Sequence, residues 1–291
     1  MNLKKNSYRN IVKTALKEDL PGEDITISGL DFKYTKVNAS ILARDSCTLC
    51  GTEIAEYIFK YFGSINIINI LKKDASSAKP GEKIMEISGN PESLLKAERT
   101  AINFLSHLSG IATQTQKYAH AINKITSQTK ILDTRKTLPG LRKLQKYAVR
   151  CGGGENHRMN LSDRVLIKEN HLTCSEDSLP IMLEKVFTRT PKNIKIEIEV
   201  ENIFQLKKVL SNPGGTPDII MLDNFNVTDL TEAVKMIRNQ SSGIKIEISG
   251  GITLDNIESF AAAGPDYISV GRLTNSSAAI DFSMLLEEDD K

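Results

Sequence analysis

From residue 194 onward the spacing of apolar and polar positions changes period in a regular way. Ile194–Val200 (IKIEIEV) alternates Ile196, Ile198 and Val200 with Lys195, Glu197 and Glu199, the two-residue period of a strand. Glu201–Leu210 then reads as a helix, and Asp218–Leu222 (DIIML) as a fully apolar, buried strand. Val227–Asn239 is helical again, with Leu230, Ala233, Val234 and Ile237 on one face. Gly243–Ser249 (GIKIEIS) alternates like the first strand. Thr253–Ala263 predicts a third helix with Thr253 as N-cap, and Asp266–Val270 (DYISV) a last strand.

Strand and helix taking turns in this way call for a parallel sheet with right-handed crossovers. Each strand ends on a polar residue or glycine: Glu199, Asp223, Ser249-Gly250-Gly251 and Gly271. The steps 199 to 223, 223 to 249 and 249 to 271 are 24, 26 and 22 residues, so these positions are equivalent in successive βα units and share one rim. Barrels and open doubly wound sheets both place ligands at strand C-termini. Earlier strand-like runs at Lys130–Leu132 and Arg164–Ile167 extend the series and favour a TIM-like (β/α) barrel, complete or incomplete.

The first third does not alternate one for one. Ser7–Leu20 predicts an amphipathic helix, Lys36–Arg44 and Ser64–Leu71 strands, Lys79–Glu82 a turn, and Lys83–Ile87 a short strand. Glu92–Asn123 carries Leu94, Leu95, Ala97, Ala101, Ile102, Leu105, Leu108 and Ile111 at helical spacing. The expected organisation is an α/β protein: an N-terminal α+β sandwich domain over 1–110, and the barrel over 111–274. The tail of about 275–291 is free to pack back on the N-terminal domain, and its acidic end, Glu287–Lys291, reads as frayed.

Composition narrows the function. The 291 residues are 40% hydrophobic and 25% charged, ordinary for a globular enzyme. With 38 basic and 36 acidic side chains the net charge is +2, which argues against a nucleic-acid partner. The N-terminus lacks an apolar core for a secretory signal, and no run nears the ~18 apolar residues that span a membrane; a cytoplasmic location is expected. Cys47-Thr-Leu-Cys50 forms a CxxC, but Cys151 and Cys174 make no matching second pair, so free thiols are expected.

Positive charge is instead concentrated in the middle of the chain. Ile131–Lys168 brings Arg135, Lys136, His157, Arg158 and Lys168 to the ends of short apolar runs, against only three acids (Asp133, Glu155, Asp163), beside the triple glycine Gly152–Gly154. Guanidinium forks and backbone open to close approach suit a small ligand with several negative charges.

Four blocks together resemble the quinolinate phosphoribosyltransferases, of the type II phosphoribosyltransferase family. They are Glu18–Thr26 (EDLPGEDIT); Glu98–Asn103 running into His107–Thr113; Asp133–Thr137 (DTRKT); and Gly152–Arg158 (GGGENHR) with Leu166–His171 (LIKENH). DTRKT and GGG-x-NHR, in order and correctly spaced, are highly specific, and the likeness covers nearly the whole chain. The resemblance implies transfer of phosphoribosyl from phosphoribosyl pyrophosphate to quinolinate with loss of CO2, with Mg2+, yielding nicotinate mononucleotide and pyrophosphate.

It further implies roles for single residues. Arg99, Arg135 and Arg158 would hold the two ring carboxylates, with Lys136 and His157 alongside; Lys168 would meet either pyrophosphate or a carboxylate. Glu199 and Asp223 would accept the ribose hydroxyls, directly or through a Mg2+ held mainly by substrate phosphates, and with Lys136 they form the expected catalytic set. Ser249, Gly250, Gly251 and Gly271 would cradle the 5′-phosphate. Members of the family are dimers at least, with hexamers open, and the position of Arg44 serves the neighbouring subunit's site. Here Cys47 stands where glycine is usual and Cys50 where a small residue is usual, which leaves the aim of Arg44 open. Nicotinate phosphoribosyltransferases and the related molybdenum-transport-associated proteins share the fold, but the full arginine set favours a dicarboxylate, and no loss at Glu199 or Asp223 points to a non-catalytic paralogue.

Overall fold

A computed structural model describes residues 3, 5–241 and 243–287. In chain order it begins with a 3-10 turn, Lys5–Ser7, then α1 (Arg9–Asp19) and α2 (Ile25–Ser28). β1 (Val37–Ala43), β2 (Cys47–Thr48), α3 (Thr52–Tyr61), β3 (Ile65–Ile70), β4 (Ser77–Ala78), β5 (Lys83–Gly89) and the long α4 (Pro91–Ile125) follow. Then come β6 (Lys130–Leu132), α5 (Arg142–Cys151), β7 (Val165–Ile167), α6 (Glu169–Thr173) and α7 (Leu179–Arg189). The alternating series is β8 (Ile196–Val200), α8 (Ile203–Leu210), β9 (Ile219–Asp223), α9 (Val227–Gln240), β10 (Lys245–Ser249), α10 (Ile257–Ala262) and β11 (Tyr267–Ser269). α11 (Arg272–Asn275) and β12 (Phe282–Glu287) end the described chain.

The chain divides into two compact units. One contains residues up to Gln116, Thr137–Gly153 and the chain from Arg272. Its sheet has the antiparallel order β12-β1-β5-β3, with β2 and β4 forming a separate small ladder. β12 pairs with β1 along Asn38↔Glu287 to Ala43↔Phe282. Glu287, expected to fray, is therefore a strand residue, and it takes a hydrogen bond from Ser40 Oγ at 2.7 Å; 288–291 lie outside the described residues. Leu94, Ala97, Ala101, Leu105 and Leu108 of α4 are fully buried, the stripe that the helical spacing predicts.

The other unit contains Lys117–Lys136 and Gly154–Gly271. Its six strands are all parallel, in the order β6-β11-β10-β9-β8-β7. β11, late in the chain, pairs with β6, the first strand of the series; among the described residues β6 and β7 are not paired, and a single bridge joins Leu132 of β6 to Glu155, ten residues before β7. This is an incomplete (β/α) barrel of six strands. The burial of β8 explains its alternating sequence: Ile196, Ile198 and Val200 are buried, and Glu197, between them, is buried as well. Such a strand is covered on both faces, apolar toward the helices and acidic toward the barrel interior.

Local signals set most helix starts. Asn202 and Asn226 cap α8 and α9 by accepting the N–H groups of Gln205 and Asp229, each at 2.9 Å. Thr253 does not cap α10. The helix begins at Ile257 after Asn256, whose Oδ1 accepts the Thr253 N–H at 2.8 Å, so the first turn is spent on a loop. Periodicity left α5 and α7 unassigned.

Candidate active site

Within the barrel unit the C-terminal strand ends surround a cavity of about 380 Å³. The parallel register dictates who lines it. Glu199, Met221 and Glu247 are ladder partners at one level across β8, β9 and β10, and Asp223 and Ser249 pair at the next level up. All five line the cavity. The even spacing along the chain thus places the rim residues together, though Glu199 sits one pleat deeper than Asp223.

The cationic side comes from the chain around the unpaired seam. Thr134, Arg135 and Lys136 follow β6, His157 and Arg158 precede β7, and Lys168 follows it; all line the same cavity. Asp133, fully buried, links the two stretches: its carboxylate accepts the His157 N–H at 3.0 Å and the Asn156 side-chain amide at 2.5 Å. The aspartate of DTRKT is thus a brace for NHR. Arg158 Nη1 donates to the Arg164 carbonyl at 3.0 Å, and burial, with Arg135 nearby, lowers its pKa from the ordinary guanidinium range. Lys168 Nζ forms an ion pair with Glu199.

The expected site omitted an acidic pair: Glu247, level with Glu199, and Glu197 one pleat below it. Glu197 and Glu247 are both fully buried. His157 Nε2 lies 3.2 Å from a Glu197 oxygen and 3.6 Å from one of Glu247, while Arg164 Nη1 donates to Glu197 at 3.0 Å. Burial pushes Glu197 upward, but His157 and Arg164 outweigh it and hold its pKa below the usual value. Glu247 is driven well above the usual value by burial and by the charge of Glu197. The two carboxyl groups are thus pushed in opposite directions. Each sits two residues before a rim residue, Glu199 or Ser249, so the two-residue period of β8 and β10 carried the signal.

The glycine turn after β10 is enforced by geometry. Gly250 has φ +93°, and a Cβ there would sit 2.2 Å from Asn224 Oδ1. Gly251, at φ +61°, continues the left-handed turn. Gly271 follows β11 at the edge of the barrel unit.

Two expected site residues lie in the other unit. Arg99 is exposed on α4. Arg44 follows β1, its Nε donating to Ser283 Oγ at 2.7 Å. Cys47 belongs to the short ladder of β2 with β4, and all four cysteines are free thiols.

Known proteins give a consistent picture. Residues 24–109 match the family model for the quinolinate phosphoribosyl transferase N-terminal domain, and 111–285 that for its C-terminal domain. A probable nicotinate-nucleotide pyrophosphorylase [carboxylating] of Methanocaldococcus jannaschii is 36% identical over 94% of this chain and 95% of its own length. The corresponding protein of Mycobacterium leprae is 36% identical over 96% and 97%. The solved structure of the nicotinate-nucleotide pyrophosphorylase from Francisella tularensis superposes with a TM-score of 0.90 at 37% identity, covering 98% of both chains.

Proposed function

The chain belongs to the quinolinate phosphoribosyltransferase family, and from that premise we propose how its own residues divide the work. The reaction is transfer of phosphoribosyl from phosphoribosyl pyrophosphate to quinolinate with decarboxylation, giving nicotinate mononucleotide, CO2 and pyrophosphate in NAD biosynthesis. The carrying observation is one cavity lined by Arg135, Lys136, His157, Arg158 and Lys168 and by Glu199 and Asp223 at the ends of β8 and β9.

Arg135 and Arg158 grip the two ring carboxylates, since a guanidinium fork binds carboxylate bidentately and stays charged. His157, braced by Asp133, stands with them. The resemblance adds Arg99 as a third arginine. Ser249, Gly250, Gly251 and Gly271 take the 5′-phosphate, and the deeper Glu199 and the rim Asp223 accept ribose hydroxyls. These contacts hold the pyridine nitrogen against C1′ while Lys136 and Lys168 steady the departing pyrophosphate. Once the ring nitrogen is quaternised, the ring itself draws electrons from the bond to the 2-carboxylate.

Oxygen donors on a carboxylate rim fit Mg2+, and Glu199 and Asp223 are the residues that would hold it beside substrate phosphates. When bound it would neutralise the pyrophosphate as it leaves. We also place the enzyme in the cytoplasm as a homodimer, with Arg44 serving the partner's site. No helix among the described residues is long and apolar enough to cross a membrane.

The test offers quinolinate and nicotinate in parallel to purified protein, with phosphoribosyl pyrophosphate and Mg2+. Nicotinate mononucleotide from quinolinate alone, abolished by EDTA and restored by Mg2+, supports the reading. Turnover of nicotinate, or indifference to EDTA, overturns the assigned pocket or the metal. Mixing inactive Arg44→Ala and Arg135→Ala proteins tests the shared site: activity returns only if subunits complement each other.

A further inference from the structure

The CxxC motif of the sequence has no role in the chemistry above, and the structure gives Cys50 a different partner. Cys50 and Cys151 lie about 100 residues apart, yet in the first unit their Sγ atoms lie within 4.8 Å of each other and of an Asp74 carboxylate oxygen. Cys50 is fully buried and Cys151 is 5% exposed.

Both ends of this contact are anchored. The Cys50 N–H donates to Ser109 Oγ at 3.0 Å, and that hydroxyl returns a bond to the Cys50 carbonyl at 3.3 Å. Cys151 ends α5, and one turn earlier Tyr147 donates its hydroxyl to Asp74 Oδ2 at 2.9 Å. Asp74 Oδ1 in turn accepts Gly51 N–H, Thr52 N–H and the Thr52 hydroxyl at 2.7–3.0 Å. The sulfurs meet because three hydrogen-bonded segments converge on one aspartate.

We propose that Cys50 and Cys151 are a reversible dithiol–disulfide pair, oxidised by a small peroxide. Their roles differ. The neighbouring Cys50 lowers the pKa of Cys151 despite the opposing effect of burial, whereas burial above all raises that of Cys50. The Cys151 sulfur attacks one peroxide oxygen; the O–O bond breaks, and the departing hydroxide takes up the proton that Cys151 gave up, forming water. Cys50 then attacks the sulfenic acid sulfur, the S–O bond breaks, and a second water leaves with the Cys50 proton. Two thiols and one peroxide become a disulfide and two waters, with two electrons passing from sulfur to oxygen. A small dithiol reverses it by exchange.

A cation at this place is a poorer fit. Two cysteines supply half of a zinc tetrahedron, and both Asp74 oxygens already accept hydrogen bonds, one from Tyr147 and one from the start of α3. Chain connectivity gives the pair a route to the site, since Cys151 leads through Gly152–Gly154 into Asn156, His157 and Arg158. Gly152 leaves little slack: a Cβ there would lie 2.3 Å from the Ala112 carbonyl oxygen.

The experiment treats the full-length protein with stoichiometric hydrogen peroxide, in a Cys174→Ala background that removes the exposed thiol. The expected result is an intact mass lower by about 2 Da, a non-reduced peptide joining Cys50 to Cys151, and reversal by dithiothreitol. The melting temperature of the oxidised form should rise by several degrees, as a cross-link closing a long loop constrains the unfolded chain. Cys50→Ala should stop at sulfenic or sulfinic acid on Cys151. A cross-link to Cys47, or oxidation that leaves both thiols reduced, overturns the proposal. So does one zinc per chain that Cys151→Ser releases. The wild-type peptide map is informative even where a variant folds poorly.

Discussion

The backbone N–H of His157 donates to Oδ1 of the fully buried Asp133 at 3.0 Å. The bond ties the end of β6 to the approach to β7, where the barrel lacks a ladder. Its loss should therefore loosen the pocket without touching substrate. Asp133→Ala is expected to cost about 1–3 kcal/mol of stability by stranding a buried donor. Thermal unfolding measures that cost. Steady-state kinetics on the folded fraction should show a raised KM for quinolinate and an unchanged KM for phosphoribosyl pyrophosphate.

In the proposed reading Arg135 and Arg158 act on the substrate itself. Removing one partner of a desolvated charged pair costs about 2–5 kcal/mol, so Arg135→Ala and Arg158→Ala should each lower kcat/KM for quinolinate by roughly two to three orders of magnitude. Arg158→Lys should recover only part of this, since an ammonium cannot grip both carboxylate oxygens. Near-wild-type kinetics in both alanine variants would remove the carboxylate pocket from consideration.

The buried glutamates make stability depend on pH in opposite directions. Glu247 has a raised pKa in the folded protein, so the native state keeps a proton that the unfolded chain releases above about pH 4.3. Its contribution is full below that pH and is lost as pH rises. Glu197, held low by His157 and Arg164 despite burial, contributes stability that is present at neutral pH and lost on acidification. Glu247→Gln keeps the shape and removes only the first effect. Melting curves from pH 5 to 8 should show the variant gaining on wild type by several degrees as pH rises. Parallel pH profiles would place the proton elsewhere.

Gly250 is the sharpest test of the proposed phosphate cradle. Its φ of +93° and the 2.2 Å approach of Asn224 Oδ1 leave no room for a side chain. Gly250→Ala should weaken phosphoribosyl pyrophosphate binding by at least tenfold, about 1.4 kcal/mol, with little change in the KM for quinolinate. Isothermal titration with each substrate separates the two.

Much of this was written in the order of residues. Near-equal spacing of Glu199, Asp223, Ser249 and Gly271 predicts a common rim, because a parallel ladder repeats its geometry with each βα unit. The spacing does not reveal depth, which depends on register, and so Glu199 lies one pleat below Asp223. The buried acids were legible in principle: Glu197 and Glu247 share the inward face of their strands with the rim residues, but an acidic residue in an alternating strand reads as solvent-facing until both faces are seen to be covered. Cys50 and Cys151 were out of reach, since nothing local couples positions that only the tertiary fold unites. Thr253 misled because an Asx-type loop at Asn256 satisfied its N–H before a helix could start.

The open seam between β6 and β7 has a mechanical meaning. The chain leaves the barrel after Lys136, runs through α5 within the other unit, and returns at Gly154. Arg135 and Arg158 flank the two ends of this detour, joined across the barrel wall by Asp133 and the single Leu132–Glu155 bridge. Elsewhere the wall is a run of ladder bonds that resist stretching together. Here it is a clasp, and the two residues that would hold quinolinate are its jaws. A ligand with two carboxylates would fasten it by bridging them, and the loss of one as CO2 would release half of that grip at the moment product forms.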